Sequence, residues 1–255
     1  MITEPVDDTT AAAWLASALT DFQGRVVDVA TDTFPCYARI FHRPDQGLPS
    51  DDRPSTWESI ARDRGTVFHP AAQFTHLARE ASRPEHERIP GPLAGSLDRL
   101  TLPLLRDCLA PHTSTPDACW YALWSGSGQA AGRWTLDHTF SLWSGPYWLF
   151  GGSLADVVEL SVEIDSGGSP ASLRRTWQLA GLVHTPSISW PEDRAWLVHS
   201  LFGHDSTIVG GTLALIRAIV DHPGIEALQV DPSTSLYANG DTINGTHPSG
   251  WPQEG

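Results

Sequence analysis

The chain has 255 residues and a formal net charge of −14 at pH 7. Its length is enough for one large domain, and 40% hydrophobic with 18% charged residues is typical of a folded protein rather than a disordered one. The negative charge excludes sequence-independent nucleic-acid binding, which needs basic groups against phosphates. The chain has no apolar run of about 18 residues, so no membrane span is predicted.

Cysteine usage and the amino-terminal sequence predict a cytoplasmic protein. Cys36, Cys108 and Cys119 are odd in number and widely spaced, so neither a disulfide framework nor a metal site is expected. The acidic amino terminus predicts no secretory signal peptide. All sixteen basic residues are arginines, and eleven tryptophans supply much aromatic area for a core.

The amino-terminal segment is predicted to alternate short helices with short strands. Residues 1–11 are predicted to form a mobile tail, and residues 12–22 to form a helix with apolar side chains on one face. Alternating apolar residues predict strands at 25–30 and at 36–41.

A capping box predicts the next helix. Ser55 is followed three residues later by Glu58, so a helix is expected over residues 56–64, and Gly65 should end it.

The middle of the chain carries further helices around a loop. Helices are predicted at 73–82 and 96–109. Between them, residues 83–95 contain three prolines and two glycines, so this segment is either a surface loop or, if the chain has an internal boundary, the best candidate for it.

Aromatic strands follow, and they decide the predicted fold class. Strands are expected at 119–124 (CWYALW) and 147–150 (YWLF), and residues 154–164 combine a helical half with a strand-like half. Interleaved short elements predict an α+β (mixed α/β) fold with a central sheet covered by several short helices. A single domain is expected over residues 12–246, followed by a mobile tail at 247–255.

Residues 187–244 predict a strand–helix–strand unit. An apolar strand at 195–202 precedes a polar turn that ends in Gly210 and Gly211. Thr212 is the predicted N-cap of a helix over residues 212–220, and a strand is expected at 225–230. A crossover unit of this length normally places its two strands parallel.

Four segments, CWYALWSG, SWPEDRAW, DSTIVGG and ANGDTIN, resemble a family of uncharacterised proteins abundant in actinobacteria. The likeness extends from Tyr37 to Asn244, and the WPxDRxW and DSTxVGG motifs are its most specific part. The resemblance implies a bacterial cytoplasmic protein with one continuous domain, and it implies no catalytic residue. Before DST, where family members often carry an acidic residue, this chain has Gly203 and His204.

The turn after the strand at 195–202 is one candidate ligand site. His204, Asp205, Ser206 and Thr207 precede a glycine pair and a helix, so free amide groups there are able to bind an anion. The alternative is that these residues cap the helix and close a turn.

A second candidate lies just before that strand. Asp193 and Arg194 could position a substrate beside Trp190, or they could simply be solvated turn residues that pair with each other. Carboxylates of Glu192, Asp193, Asp205 and Asp241 could instead collect a divalent cation.

Aromatic side chains allow two interpretations. Trp120, Trp124, Trp190 and Trp196 flank predicted strands, as core residues do, but a cleft lined by them would bind a planar or apolar ligand. Histidine spacings predict no zinc site, no nucleophile elbow is well placed, and no cofactor is expected.

The leading hypothesis is a non-enzymatic, acidic, cytoplasmic interaction protein whose protein partner is basic, comparable in kind to immunity proteins that neutralise toxins. Neither nucleic acid nor a membrane is an expected partner. The alternative is a small-molecule enzyme, a hydrolase or transferase, with its site between Asp193 and Arg194 on one side and residues 205–207 on the other. A polar pocket there favours the enzyme, and a flat acidic face with exposed aromatic side chains favours the binder.

Overall fold

The computed structural model describes residues 4–44, 56–79, 89, 91–98, 100–126, 134–158, 162–163 and 183–245. Most of the predicted loop at 83–95 and the predicted tail at 247–255 lie outside these residues. Single-domain organisation therefore stays a prediction.

An eight-stranded sheet forms the centre of the fold, which confirms the predicted α+β class. Its strands are β1 (Cys36–Phe41), β2 (Cys119–Trp124), β3 (Thr139–Leu142), β4 (Gly145–Gly152), β7 (Ile188–Pro191), β8 (Leu197–Ser200), β9 (Ser206–Gly211) and β10 (Ala227–Val230), while β5 (Val162–Glu163) and β6 (Val183–His184) pair separately. The strand order is β10-β1-β9-β8-β7-β2-β4-β3, and every neighbouring pair is antiparallel.

Short helices cover both faces of this sheet. They are α1 (Ala13–Ala18), α2 (Val27–Ala30), α3 (Trp57–Arg64), α4 (Phe74–Leu77), α5 (Thr101–Leu109) and α6 (Leu213–Val220). Successive strand residues face opposite sides, so Leu197 belongs to the core under α1 and α2 while Val198 belongs to the core under α5 and α6. No helix in the described part of the chain has the length and apolar character to cross a bilayer.

The predicted strand–helix–strand unit is present, but its first strand is β9 rather than the strand at 195–202. Strands β9 and β10 both pair antiparallel with β1, which lies between them, so they run parallel to each other. Thr212 caps α6 as predicted, because its hydroxyl oxygen accepts from the amide of Leu215.

Two predicted local structures are wrong. The polar turn expected between the strand at 195–202 and the helix contains β9, whose six residues are all buried and paired with β1, and residues 207–210 also pair with β8. Residues 25–30, predicted as a strand, contain α2 instead. The Asp28 carboxylate turns the chain there, because it accepts from the backbone amides of Gln23 and Arg25.

Helix α3 confirms the predicted helix with a shifted cap. Thr56 and Ser59, rather than Ser55 and Glu58, exchange the capping hydrogen bonds, and Gly65 ends the helix with φ at 64°. The Glu226 carboxylate, just before β10, also accepts from the amide of Trp57 at 2.7 Å.

Part of the predicted amino-terminal tail lies against the sheet. The amide of Val6 donates to the carbonyl of Leu149 at 2.7 Å, beyond the point where β3 pairs with β4. The Glu4 carboxylate accepts from the indole of Trp134. These contacts cover β4 where β3 leaves its edge open.

Candidate functional site

The predicted site residues form two groups at opposite ends of β8. Trp190 lies in β7, and Asp193 with Arg194 lies in the turn before β8, whereas residues 204–207 follow its other end. Strand β8 has four residues, a length of about 13 Å at the usual rise. The structure therefore does not bring the two turns together into one site.

Asp193 holds a neighbouring loop. Its carboxylate accepts from the hydroxyl of Thr113 at 2.8 Å, from the amide of Ser114 at 2.6 Å and from the amide of Ala195 at 3.2 Å. Burial opposes ionisation, but these hydrogen bonds keep the pKa of Asp193 below its usual value. With its oxygens already occupied, Asp193 serves to fasten this loop.

Arg194 and Trp190 both contact Trp14. The guanidinium of Arg194 lies 5.2 Å from the ring centroid of Trp14, and the Trp190 ring meets Trp14 edge-on at 6.1 Å. These are packing contacts between α1 and the β7–β8 turn.

The predicted tryptophan cleft is not formed as a unit. Trp190 and Trp196 are fully buried core residues. Trp120 donates its indole N–H to Glu192 beside the first turn, whereas Trp124 reaches the surface at the other end of the sheet.

The predicted anion site does not form. Ser206 and Thr207 begin β9, where both pair with β1 and Thr207 also pairs with β8, so their backbone does not turn towards a ligand. Because Gly210 and Gly211 are also strand residues, and Thr212 caps α6, the helix has no open loop in front of its amino terminus.

The four carboxylates considered as cation ligands are separated. Glu192 and Asp193 lie at one end of β8, and Asp205 lies at the other. Among the described residues, no three His, Cys, Asp or Glu side chains are arranged to hold a metal ion.

The second group, residues 204–207, contacts a buried arginine that was not among the predicted site residues. Arg39, 1% exposed, donates through Nε to the hydroxyl of Ser206 at 2.8 Å and through Nη1 to the carbonyl of Pro70 at 3.0 Å. Its Nη2 lies 3.4 Å from Oδ1 of Asp205. Burial raises the pKa of Asp205, although the attraction of Arg39 opposes that rise.

Thr207 belongs to a buried relay of hydrogen bonds with His42 and Ser200. Nδ1 of His42 faces the carbonyl of Leu93 at 2.6 Å, so Nδ1 carries the proton and Nε2 accepts from the Thr207 hydroxyl at 2.8 Å. The Thr207 oxygen in turn accepts from the hydroxyl of Ser200. Burial lowers the pKa of His42 to about 4, so its imidazole is neutral at pH 7.

Asp241, from the ANGDTIN segment, anchors the end of the described chain. Oδ1 lies 2.9 Å from Nε2 of His69, and Oδ2 accepts from the side-chain amide of Asn244 at 2.9 Å. Burial opposes ionisation of Asp241, but hydrogen bonds, led by that from the backbone N–H of Asn244, lower its pKa. Because both carboxylate oxygens of Asp241 are occupied by these partners, the contacts indicate a structural role.

At the end of the sheet that carries residues 204–207, partly exposed aromatic side chains form two neighbouring clusters, which we name together the aromatic patch. It consists of Phe22, Trp124, Trp143, Phe202, His204 and Tyr237. Phe22 is its hub, because its ring stacks on Trp143 at 4.6 Å and meets His204 and Tyr237 edge-on.

The other half of the aromatic patch centres on Phe202. This residue occupies the β8–β9 turn and lies 4.1 Å from Trp124, centroid to centroid. The Trp124 indole donates to the carbonyl of Ser144, next to Trp143, and so joins the two halves. Phe202 is 59% exposed and Tyr237 is 45% exposed.

Of the residues in this surface, only His204 and Trp124 were predicted as candidates from the sequence. Phe202 was predicted as the last residue of an apolar strand, whereas the structure ends β8 at Ser200. The available signal was Gly203, which marks a turn tip and therefore makes an apolar residue beside it exposed.

Comparisons with protein-family models, with curated proteins and with solved structures found no match for this chain. The resemblance suggested by the WPxDRxW and DSTxVGG motifs stays a prediction.

Proposed function

We propose that this protein is a non-enzymatic cytoplasmic interaction protein and that its protein partner docks on the aromatic patch. The observation that carries the proposal is Phe202, a large apolar side chain that is 59% exposed at the tip of a hairpin and packed against the ring of Trp124. Aromatic anchors with restricted motion are typical of the residues that dominate binding energy at protein interfaces.

Support also comes from the rigidity of the surroundings. The backbone N–H of His204 donates to the carbonyl of Leu201 and closes the turn that carries Phe202, while the carbonyl of His204 accepts from the amide of Gly95 and ties this turn to a neighbouring segment. A pre-organised surface loses little conformational entropy on binding.

Charge and cysteine state fit the same proposal. A net charge of −14 favours rapid association with a basic target, as in inhibitors that neutralise toxins. Cys36, Cys108 and Cys119 are free thiols, which suits the reducing cytoplasm. The competing enzyme hypothesis loses the shared cleft on which it depended, because β8 separates its two turns.

The test is site-specific photo-crosslinking in cells that produce the protein. A photoreactive phenylalanine analogue is placed at Phe202 or at Leu136, which is 58% exposed and precedes β3 at its far end from the aromatic patch. A discrete protein adduct at position 202 and none at position 136 is expected.

The captured protein is then purified and titrated by calorimetry against matched variants. Phe202→Asp should weaken binding by tenfold or more, as loss of an interface anchor does. Leu136→Asp should leave the dissociation constant within about twofold, since surface changes outside an interface have small effects. Equal binding by both variants, with unchanged far-UV circular dichroism, would refute the proposal.

A further inference from the structure

An open cleft of about 270 Å³ lies beside the aromatic patch, along residues 18–32. Asp21 and Gln23, the two neighbours of Phe22 in the chain, both line it. Gly24 packs against the ring of Tyr237. A partner chain that covers Phe22 therefore also passes over the mouth of this cleft.

The cleft carries an excess of negative charge. Asp21, Asp28 and Asp32 line it, against the single guanidinium of Arg25. Arg25 is already paired with Asp28 at 2.8 Å. Asp21 and Asp32 are exposed, and neither forms an ion pair with another described residue.

Size and charge together limit what can occupy this surface. The cleft lies just below the roughly 300–1,000 Å³ of typical small-molecule sites, so it suits one long side chain better than a whole metabolite. A second copy of this chain would bring another 14 negative charges towards the same acidic border, and like charges oppose association. A basic protein surface meets complementary charge instead.

We infer that the partner of the aromatic patch presents a basic segment and that one arginine or lysine side chain of this segment enters the cleft between Asp21 and Asp32. This inference rests on the proposed function, since the apolar part of the segment covers Phe22, Phe202 and Tyr237. The aliphatic stem of such a side chain packs along apolar surface while its charged head reaches the carboxylates.

A nuclear magnetic resonance titration of the full chain tests the inference without the natural partner. The probes are the blocked peptides Ac-Gly-Arg-Gly-NH2, Ac-Gly-Lys-Gly-NH2 and Ac-Gly-citrulline-Gly-NH2, the last being a neutral analogue of the first. Saturable shifts of the amides of residues 18–32 are expected with a basic peptide. At least a fivefold weaker response is expected with the citrulline peptide and at raised salt.

Matched variants assign the effect to the cleft. Asp21→Asn combined with Asp32→Asn should abolish the shifts, while Asp117→Asn, an exposed carboxylate before β2 at the opposite end of the sheet, should not change them. No response at residues 18–32, or an equal response to the citrulline peptide, would overturn the inference.

The captured partner separates this inference from the proposed function. If Phe202→Asp abolishes partner binding but Asp21→Asn with Asp32→Asn leaves it unchanged, the docking surface stands and the basic segment does not. If Phe202→Asp has no effect, the docking surface itself is wrong. A dimer in sedimentation velocity that Phe202→Asp dissociates would replace the basic partner by a second copy.

Discussion

The buried Arg39 and the partly exposed Asp205 form an ion pair in which Nη2 lies 3.4 Å from Oδ1, yet loss of solvent around each group shifts its pKa towards the neutral form. The loss of solvation therefore exceeds the mutual attraction of the two charges. Arg39 also donates to Ser206 and to the carbonyl of Pro70, and its guanidinium lies 4.8 Å from the ring centroid of Phe41. Arg39 therefore holds this region together through several contacts, of which the ion pair with Asp205 is only one.

Replacement of the two partners should therefore have unequal effects. Arg39→Met should lower the free energy of unfolding by about 3 kcal/mol or more, because it leaves Asp205 without its counter-charge. Asp205→Asn should cost at most about 1 kcal/mol, since the amide oxygen still accepts from the guanidinium. Urea unfolding at pH 7 measures both, and a larger cost for Asp205→Asn would contradict this account.

The relay from Ser200 through Thr207 to His42 gives a second prediction. Thr207→Val keeps the shape of the side chain but leaves Nε2 of His42 without a donor and the Ser200 hydroxyl without an acceptor, so it should cost about 1–3 kcal/mol. Ser200→Ala, which leaves the bond from Thr207 to His42 intact, should cost less. Chemical denaturation compares the two variants, and equal costs would show that the hydrogen bond from Thr207 to His42 contributes little to stability.

How far the sequence predicted the fold can be judged strand by strand. The strands at 36–41 and 119–124 were predicted with the bounds that the structure has, because their apolar residues cluster and clear turn signals follow. Strand β9 was missed, because Ser206, Thr207 and two glycines are typical of turns. Its polar residues are satisfied by Arg39 and His42, partners about 165 residues away in the chain that meet them only in the fold.

The candidate site was predicted less well for the same reason. The residues proposed on chemical grounds, such as Asp193 and Ser206, are occupied by partners from distant segments. Arg39, the one charged residue in an otherwise apolar strand, was a usable signal of a buried polar centre. Gly203 was a local signal for the exposure of Phe202, but exposure of Phe22 and Tyr237 depends on how the chain packs, so no local pattern predicted the rest of the aromatic patch.

Buried histidines predict a loss of stability in mild acid. Burial lowers the pKa of His42 and of His199 to about 4, against about 6.5 in an unfolded chain. Between these values the unfolded state binds more protons than the folded state, so the free energy of unfolding falls as the pH drops from about 6.5 to about 4. The expected loss is on the order of 3 kcal/mol for each histidine.

Urea unfolding at several pH values between about 4.5 and 7.5 measures this loss of stability. Most of this range lies between the folded-state pKa of about 4 and the unfolded-state pKa of about 6.5. His199→Asn removes one titrating group while an amide N–H replaces the Nδ1–H donor to the carbonyl of Val29, so the dependence on pH should be shallower in this variant. Wild-type stability that is constant across the range would rule out neutral buried histidines.

Gly24 and Gly203 offer a matched pair for the organisation of the aromatic patch. Both have φ at 81°, a conformation that strains any residue with a side chain. A Cβ at Gly24 would lie 2.2 Å from Cε2 of Tyr237, whereas a Cβ at Gly203 would meet no atom within 4 Å. Gly203→Ala should therefore report the backbone strain alone, about 1–2 kcal/mol.

Gly24→Ala carries the same backbone strain and must also displace the Tyr237 ring. This displacement should lower the free energy of unfolding by a further amount of about 1–3 kcal/mol. Urea unfolding of the two variants gives this difference directly. Because Tyr237 packs edge-on against Phe22, Gly24→Ala should also disturb the aromatic patch and weaken partner binding, which a Tyr237→Ser variant with Gly24 intact would reproduce. Equal stabilities of Gly24→Ala and Gly203→Ala would mean that the Tyr237 ring moves away without cost. The aromatic patch would then lack the rigidity on which its role as a docking surface depends.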